Sequence, residues 1–306
     1  MTSPTVIFIV GATASGKTAA SLDLAERVPV EIVNADSRQV YRRMDIGTAK
    51  PTAAQRAAVP HHLIDIVDPD ESYSLATFLE QARGVIADIA GRGKTPVVVG
   101  GTGQYVWGLA EGWTVPVVPP DAAFRAELEG EAAAHGWQRL HERLRAVDAE
   151  AAASIDGRNV RRVIRALEVW HVTGKRFSAQ RRKVPPPFTP RIHGMWVPRG
   201  ELYARIDARV DAMMATGFLD EVRRLLGMGY GSKLPSMSSA GYRELAAHLR
   251  GDLTLDEAVR RTKIATHSLA RRQHTWFRRD DERIEWVETS RELARAAASG
   301  ASPRLP

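Results

Sequence analysis

The chain contains no cysteine. Disulfides, thiolate nucleophiles and sulfur-bound metals are thereby excluded, and any metal must be held by oxygen or imidazole ligands. It also lacks any run of about 18 uninterrupted apolar residues, and its start carries no basic stretch, apolar helix and cleavage site in sequence. These absences predict a soluble, cytoplasmic protein with no membrane partner. No internal repeat or long low-complexity tract is found. The composition of the 306 residues, 44% hydrophobic and 26% charged, is that of a globular chain long enough for one large or two smaller domains.

The most informative segment is Gly11-Ala12-Thr13-Ala14-Ser15-Gly16-Lys17-Thr18, which follows the apolar run Val6 to Val10 and leads into a helix-like stretch from Thr18 to Ala25. The pattern GxxxxGKT places glycine where the backbone turns tightly and nears an anion, so that successive N–H groups point into one concavity at a helix N-terminus. Lys17 supplies a positive charge to the phosphates, and Thr18 a hydroxyl able to ligate Mg²⁺. Which phosphate compound is held does not follow from the loop.

The first hundred residues alternate strand-like runs (Thr5 to Val10, Val30 to Asn34, Pro96 to Val99) with helix-like ones, including a stretch opened by Ser74 and striped with Leu75, Phe78, Leu79, Ala82 and Ile86. This predicts an α/β fold, a P-loop NTPase-like parallel sheet flanked by helices. The loops Gly11 to Thr18, Ala35 to Gln39 and Gly100 to Gly103 would then share the carboxyl edge of the sheet. Seven of the 17 prolines fall in two clusters, Pro116, Pro119, Pro120 and Pro185, Pro186, Pro187, Pro190, around a segment rich in Ala, Glu, Arg and Leu. Stiff connectors bracketing such a segment predict an all-helical insertion domain at 119–190, within a catalytic core of 1–118 and 191–290, followed by a flexible tail at 291–306. A strand is expected at Ile192 to Val197 and another at Arg283 to Val287, with helices around Leu202 to Met214, Phe218 to Leu226, Tyr242 to Leu249 and Leu255 to Trp276.

The formal net charge is +7, and the excess is concentrated. Arg158 to Lys183 holds nine basic residues against Glu168 alone, and Arg260 to Arg279 holds seven with no acid. These segments are candidate polyanion surfaces, the alternative being solvated helix faces. In the first, Arg158, Arg161, Arg162 and Arg165 share one helical face, opposite Val160, Val163, Ile164 and Leu167. In the second, Arg271 to Arg278 interleaves guanidinium groups with Trp276 and Phe277, rings suited either to base stacking or to the core.

Asp36, just past the second strand, faces the phosphate loop. It could hold Mg²⁺ through water, accept a proton from a nucleophile, or cap nearby backbone. Thr102 sits in a Gly-Gly-Thr-Gly turn on the same edge, its hydroxyl free to donate and accept. The adjacent His61 and His62 have no second ligand cluster at matching spacing and read as turn or packing residues.

In order along the chain, Gly11 to Thr18, Asn34 to Tyr41 running on through Met44-Asp45-Ile46-Gly47-Thr48-Ala49-Lys50-Pro51, Pro60 to Asp65, Gly100 to Tyr105, Arg162 to Val169, Phe218 to Arg223, Gly241-Tyr242-Arg243 and Arg271 to Arg278 resemble the tRNA dimethylallyltransferases, also called tRNA isopentenyltransferases. The resemblance covers about Val6 to Arg279. It implies transfer of the dimethylallyl group of dimethylallyl diphosphate to N6 of the adenosine immediately 3′ of the anticodon, in tRNAs reading codons that start with U. Asp36 matches the general base and Thr102 the residue that helps hold the target nucleotide. Gly11 through Thr18 with Arg223 match the diphosphate site, and Mg²⁺, with Thr18 as its ligand, is the implied cofactor.

Contacts with the anticodon stem-loop carry over to Asp36, Ser37, Arg38, Gln39 and Thr102; to Asn159, Val160, Arg161, Arg162 and Val163; to Ser238, Ser239, Ala240, Gly241, Tyr242 and Arg243; and to Arg271, Arg272, Gln273, His274, Thr275, Trp276, Phe277 and Arg278. The helical insertion resembles the part of the family that clamps tRNA, and a monomer is expected. Ala12 departs from the proline usual at its position, and Gln104 from an aliphatic residue. On loop physics alone a small-molecule or nucleotide kinase remains an alternative, as does an RNA-binding module with a vestigial loop.

Overall fold

Apolar, β-branched runs too short for helices build the sheet. A computed structural model, describing residues 3–180 and 182–298, contains β1 (Thr5–Val10), β2 (Val30–Asn34), β3 (His61–His62), β4 (Thr95–Gly100), β5 (Thr189–Met195) and β6 (Ile284–Val287). All six pair in parallel in the order β3-β2-β4-β1-β5-β6, placing β1 between β4 and β5. β5 starts earlier than its apolar stretch suggests because Thr189 and Pro190 take up the register of Thr5 and Val6. β3 is the predicted turn at His61 and His62, drawn into the sheet edge. His62 Nε2 lies 2.7 Å from Glu31 Oε2, and His61 Nδ1 is 2.7 Å from the Val59 carbonyl. Glu31 is buried and also accepts from Arg92 and Lys94 at 2.8 Å, partners that hold its carboxyl well below the usual range.

Between the strands run α1 (Lys17–Ala25), α2 (Ala53–Ala58), α3 (Leu75–Gly91) and α4 (Gly103–Ala110). Ser74 caps α3, its hydroxyl accepting the Thr77 N–H at 3.1 Å. A separate helical unit follows, with α5 (Ala122–His135), α6 (Trp137–Val147), α7 (Ala149–Ser154), α8 (Val160–Thr173) and α9 (Phe177–Gln180). The chain then returns through α10 (Arg199–Ala215), α11 (Phe218–Gly227), α12 (Tyr242–Leu249), α13 (Leu255–Trp276) and α14 (Ser290–Ala298). Among the described residues no helix is long and apolar enough to cross a membrane.

The helical unit spans Glu111–Pro185. Residues 111–118, expected in the core, therefore group with the helices, and 186–190 with the sheet. The unit has its own core, Leu128, Leu140, Leu144, Val163, Ile164 and Leu167 from α5, α6 and α8. It is organised around Glu168, which is fully buried. Its carboxylate accepts from Arg125 at 2.7 Å, Arg165 at 2.6 Å and the Asp121 N–H at 2.8 Å. Burial opposes ionisation, but these donors outweigh it and hold the carboxyl below its ordinary range.

In the sheet-bearing unit the pleat splits β1 between two layers. Ile7 and Ile9 pack with Ala20 and Leu24 of α1, whereas Phe8 meets Phe188 at a ring separation of 6.3 Å. Leu293 of α14, 0% exposed, joins the first cluster. The tail expected to be flexible from 291 on is thus helical as far as Ala298, and 299–306 lie outside the described residues. Because Leu293 is fully enclosed, Leu293→Ala is expected to destabilise the protein by about 2–5 kcal/mol in urea denaturation; a change below about 0.5 kcal/mol would show that α14 does not stay docked in solution.

Candidate active site

The phosphate loop leaves β1 and enters α1 as a turn held from beneath. Gly11 has φ +143°, and a Cβ there would lie 2.8 Å from the Met195 carbonyl of β5, so no other residue fits. Ala12 and Ala14 point down into a cluster with Val197, Leu202, Ile206 and Ala270 from the β5 exit, α10 and α13. Ala14 adopts φ +63°, a conformation costly outside glycine and maintained by that packing. Ser15 Oγ is buried with no protein partner. The ammonium of Lys17 donates to the carbonyls of Gly11 at 3.1 Å and Ala12 at 2.7 Å. Enclosure of that ammonium lowers its pKa to about 8, Asp36 opposing the shift and Arg209 adding to it.

Two more loops meet this one at the carboxyl ends of β2 and β4. Asn34 Nδ2 donates to the Leu63 carbonyl at 2.9 Å and its Oδ1 accepts the Asp36 N–H at 3.1 Å, fixing where Asp36 leaves the strand. Asp36 Oδ1 accepts the Arg38 N–H at 2.8 Å, so the capping role is real; Oδ2 has no hydrogen-bond partner among the described residues. Thr102 Oγ1 accepts the Ser37 N–H at 3.0 Å and donates to Ser37 Oγ at 3.3 Å. The Asp36 and Thr102 loops are therefore stitched into one rim.

That rim and the phosphate loop line a single cavity of about 570 Å³, to which α10, α11 and α13 contribute the apolar side chains of Ile206, Val210, Met213, Phe218, Leu269 and Trp276. A third side, Gly47 to Ala49, is fixed by the buried Glu221. Its carboxylate accepts the N–H groups of Asp45 at 2.9 Å, Ile46 at 2.8 Å and Gly47 at 3.1 Å, together with the Tyr242 hydroxyl at 2.6 Å.

Several residues expected in the site lie elsewhere. Arg223 is exposed on α11, paired with Asp220, and does not line the cavity. Arg209 of α10 does line it, a residue with no ion pair or hydrogen bond among the described residues and a pKa lowered by burial. Val163 and Tyr242 are 0% exposed and Phe277 1%, so these side chains belong to hydrophobic cores and offer RNA no surface. Gln273 is almost buried between the loops. Asn159 caps α8 by accepting the Arg162 N–H at 3.3 Å, and Ser239 donates to the Ser236 carbonyl at 2.6 Å. Ser37, Arg38, Gln39, Ser238, Ser239, Ala240, Arg272, Gln273 and Trp276 do line the cavity, as does Gln104.

The basic segments are also thinner than their counts. In the first, Arg165 is spent on Glu168 and the Val118 carbonyl and Lys183 pairs with Glu111, leaving Arg158, Arg161, Arg162, Lys175, Arg176 and Arg182 exposed and without an ion pair among the described residues; Arg181 lies outside them. Arg260 and Arg261 pair with Glu257, Lys263 with Asp211, Arg243 with Glu244 and Arg278 with Asp280. Arg271 meets the Tyr203 hydroxyl at 3.2 Å and Arg279 sits 4.4 Å over Trp196, neither engaging an acid. His274 packs edge-on to Trp196, and Thr275 donates to the Arg272 carbonyl.

For metals, the described residues contain no group of three or more His, Asp or Glu side chains able to hold an ion. Thr18 and Asp36, both hard oxygen donors, nevertheless line the phosphate cavity and fit a divalent cation that takes its remaining ligands from phosphate oxygens and water.

Fold and site define a phosphate-loop α/β enzyme. The chain belongs to the isopentenyl transferase family: the model described as IPP transferase matches residues 39–280, and that described as Isopentenyl transferase matches 4–61. It is 57% identical to the tRNA dimethylallyltransferase of Roseiflexus sp. (strain RS-1) over 90% of each chain. To the protein of that name from Thermomicrobium roseum it is 47% identical, over 93% of this chain and 86% of the other. Among solved structures, the full-length tRNA isopentenylpyrophosphate transferase of Bacillus halodurans superposes with a TM-score of 0.69 at 40% identity, covering 96% of this chain and 94% of that one. A eukaryotic dimethylallyltransferase acting on tRNA gives 0.77 at 27%, covering 97% and 77%.

Two outcomes follow for anion binding. Lys17 is charged below its lowered pKa of about 8 and loses that charge as pH rises through it, so the Kd of sulfate, an anion that does not itself titrate in this range, should rise roughly tenfold from pH 7 to 9 by calorimetry. A flat profile would place the Lys17 titration elsewhere. Arg209→Ala should raise that Kd by about tenfold or more, the worth of a charge-assisted contact, whereas Arg223→Ala should stay within about twofold; the reverse order would refute the geometric assignment.

Proposed function

We propose that this chain is a tRNA dimethylallyltransferase that moves the dimethylallyl group from dimethylallyl diphosphate to N6 of adenosine 37, next to the anticodon, giving N6-dimethylallyladenosine. The observation that carries this reading is the pairing, in one cavity, of an anion cradle and Asp36 with a wall of Val210, Met213, Phe218 and Leu269. A prenyl chain needs that apolar surface, and transfer of a phosphoryl group to a polar acceptor does not.

The adenine amine is a poor nucleophile because its lone pair is delocalised into the ring, so it must be oriented and relieved of a proton as the new bond forms. In the proposed reaction the N6–carbon bond forms, the carbon–oxygen bond to diphosphate breaks, and the N6 proton passes to Asp36. Thr102, pinned by Ser37, holds the nucleotide at the rim. The loop N–H groups, Lys17 and Arg209 stabilise the charge that develops on the departing diphosphate. Mg²⁺ held by Thr18 would supply further positive charge to that leaving group. The adenosine must leave the stacked anticodon loop to arrive, a cost of a few kcal/mol returned by protein contacts.

The exposed Arg158, Arg161 and Arg162 of the helical unit, and Arg271, Arg272 and Arg279 of the other, are the phosphate-backbone contacts we assign to the anticodon stem-loop. We expect a cytoplasmic monomer acting on tRNAs that read codons starting with U.

Incubation with labelled dimethylallyl diphosphate and unmodified tRNA should yield labelled adenosine. ATP-dependent phosphorylation without it would establish the kinase alternative. Asp36→Asn should lower kcat by about 10²–10⁴ with tRNA affinity retained, and an unchanged kcat would remove the general base. Replacing Arg161 and Arg162 together by Ala should weaken tRNA binding and flatten log K against log salt by about one to two; an unaltered slope would free that face of a phosphate role.

A further inference from the structure

Gln273 lies near the end of α13, 7% exposed, between the two glycine-rich loops. Its Oε1 accepts the Thr13 N–H at 2.7 Å and its Nε2 donates to the Gly101 carbonyl at 3.1 Å. One carboxamide thus ties the phosphate loop to the β4 loop, from a position 260 residues away from the first and 172 from the second.

In a bare phosphate loop, successive N–H groups turn towards the anion. Here one of them is already satisfied by a protein oxygen, whose lone pairs place negative partial charge at the Thr13 end of the cradle. The carboxamide packs directly on the β4 loop, where a Cβ on Gly101 would lie 2.1 Å from Nε2, so glycine at that position makes its seat. The Ser15 N–H is donated to the Ala12 carbonyl at 3.3 Å, and the N–H groups of Ala14, Gly16, Lys17 and Thr18, together with the Lys17 and Arg209 side chains, remain for a ligand. A phosphate chain extended towards Thr13 would meet an acceptor in place of a donor, with no hydrogen bond to replace the hydration it gives up.

We propose that Gln273 sets the length of the phosphate chain the loop accepts, closing the cradle at Thr13 so that a diphosphate fits and a triphosphate is rejected. The GxxxxGKT sequence alone does not make this distinction; a side chain delivered by the last long helix does. The proposal takes its ligand from the diphosphate reading above, but its test requires neither tRNA nor prenyl transfer.

Calorimetry with inorganic diphosphate and tripolyphosphate, each with Mg²⁺, on the wild-type chain, Gln273→Ala and Gln273→Glu decides it. Wild type should bind diphosphate at least about tenfold more tightly. Gln273→Ala frees the Thr13 N–H and should shrink that preference by about tenfold, chiefly through a gain in tripolyphosphate affinity. Gln273→Glu keeps the acceptor and adds charge, so both anions should weaken and tripolyphosphate the more. Equal affinity of wild type for the two anions overturns the proposal, as does an unchanged ratio in a Gln273→Ala protein of wild-type Tm. Should Gln273→Ala fail to fold, an unchanged ratio in the near-isosteric Gln273→Glu does the same. Loss of tRNA affinity at a constant anion ratio would instead make Gln273 a tRNA contact. A wild-type chain that prefers diphosphate yet transfers no prenyl group would defeat the proposed function and leave the role of Gln273 intact.

Discussion

A cradle of backbone N–H groups left open for an anion is unstable on its own, because unpaired donors invite the loop to collapse onto itself. Everything else in the sheet-bearing unit can be read as the answer to that constraint. β5 runs beside β1 and brings the Met195 carbonyl against Gly11, a contact only glycine tolerates. α10 and α13 supply the hydrophobic floor on which Ala12 and Ala14 rest. The loop is therefore shaped by segments about two hundred residues downstream, and the helical unit is spliced into the chain between it and them.

Much of this was legible in the sequence because it depends on local pattern. A strand, a glycine-bounded turn and a helix start follow one another within Thr5 to Ala25, and the alternation of apolar runs implied the parallel sheet. Asp36 and Thr102 could be placed on the shared edge by strand direction alone. Arg209 is hidden in the sequence because it sits on the same helical stripe as Ile206, Val210 and Met213, where the periodicity reads as core. An arginine in such a stripe is itself the missing signal, since a cation there needs an anion to face. Resemblance to a motif points to Arg223, yet the Phe218 to Arg223 stretch works through Glu221, whose backbone N–H partners lie on a loop more than 170 positions away.

The basic segments show a different limit. Counting charges within a window cannot see acids that stand just outside it, and Glu257 and Asp280 flank the second window on either side. In the first, the i, i+3 partner of Arg165 was in plain view as Glu168, but its complete burial depends on Arg125 and Asp121 from a different helix. Net positive potential over a surface is thus a property of the few arginines left after such pairings. Short elements suffered similarly: β3 owes its place to Glu31 and α14 to Leu293, neither of which declares a strand or a helix locally.

Phe218 illustrates how function limits what can be redesigned. Its ring lines the cavity, and it also fills the space against Gly47, Gly241 and Tyr242 that keeps the Glu221-bound loop in position. The wall and the scaffold are here one side chain. Met213, which lines the same cavity, is unbranched and only partly buried, so that the pocket can adapt at one position and is locked at another.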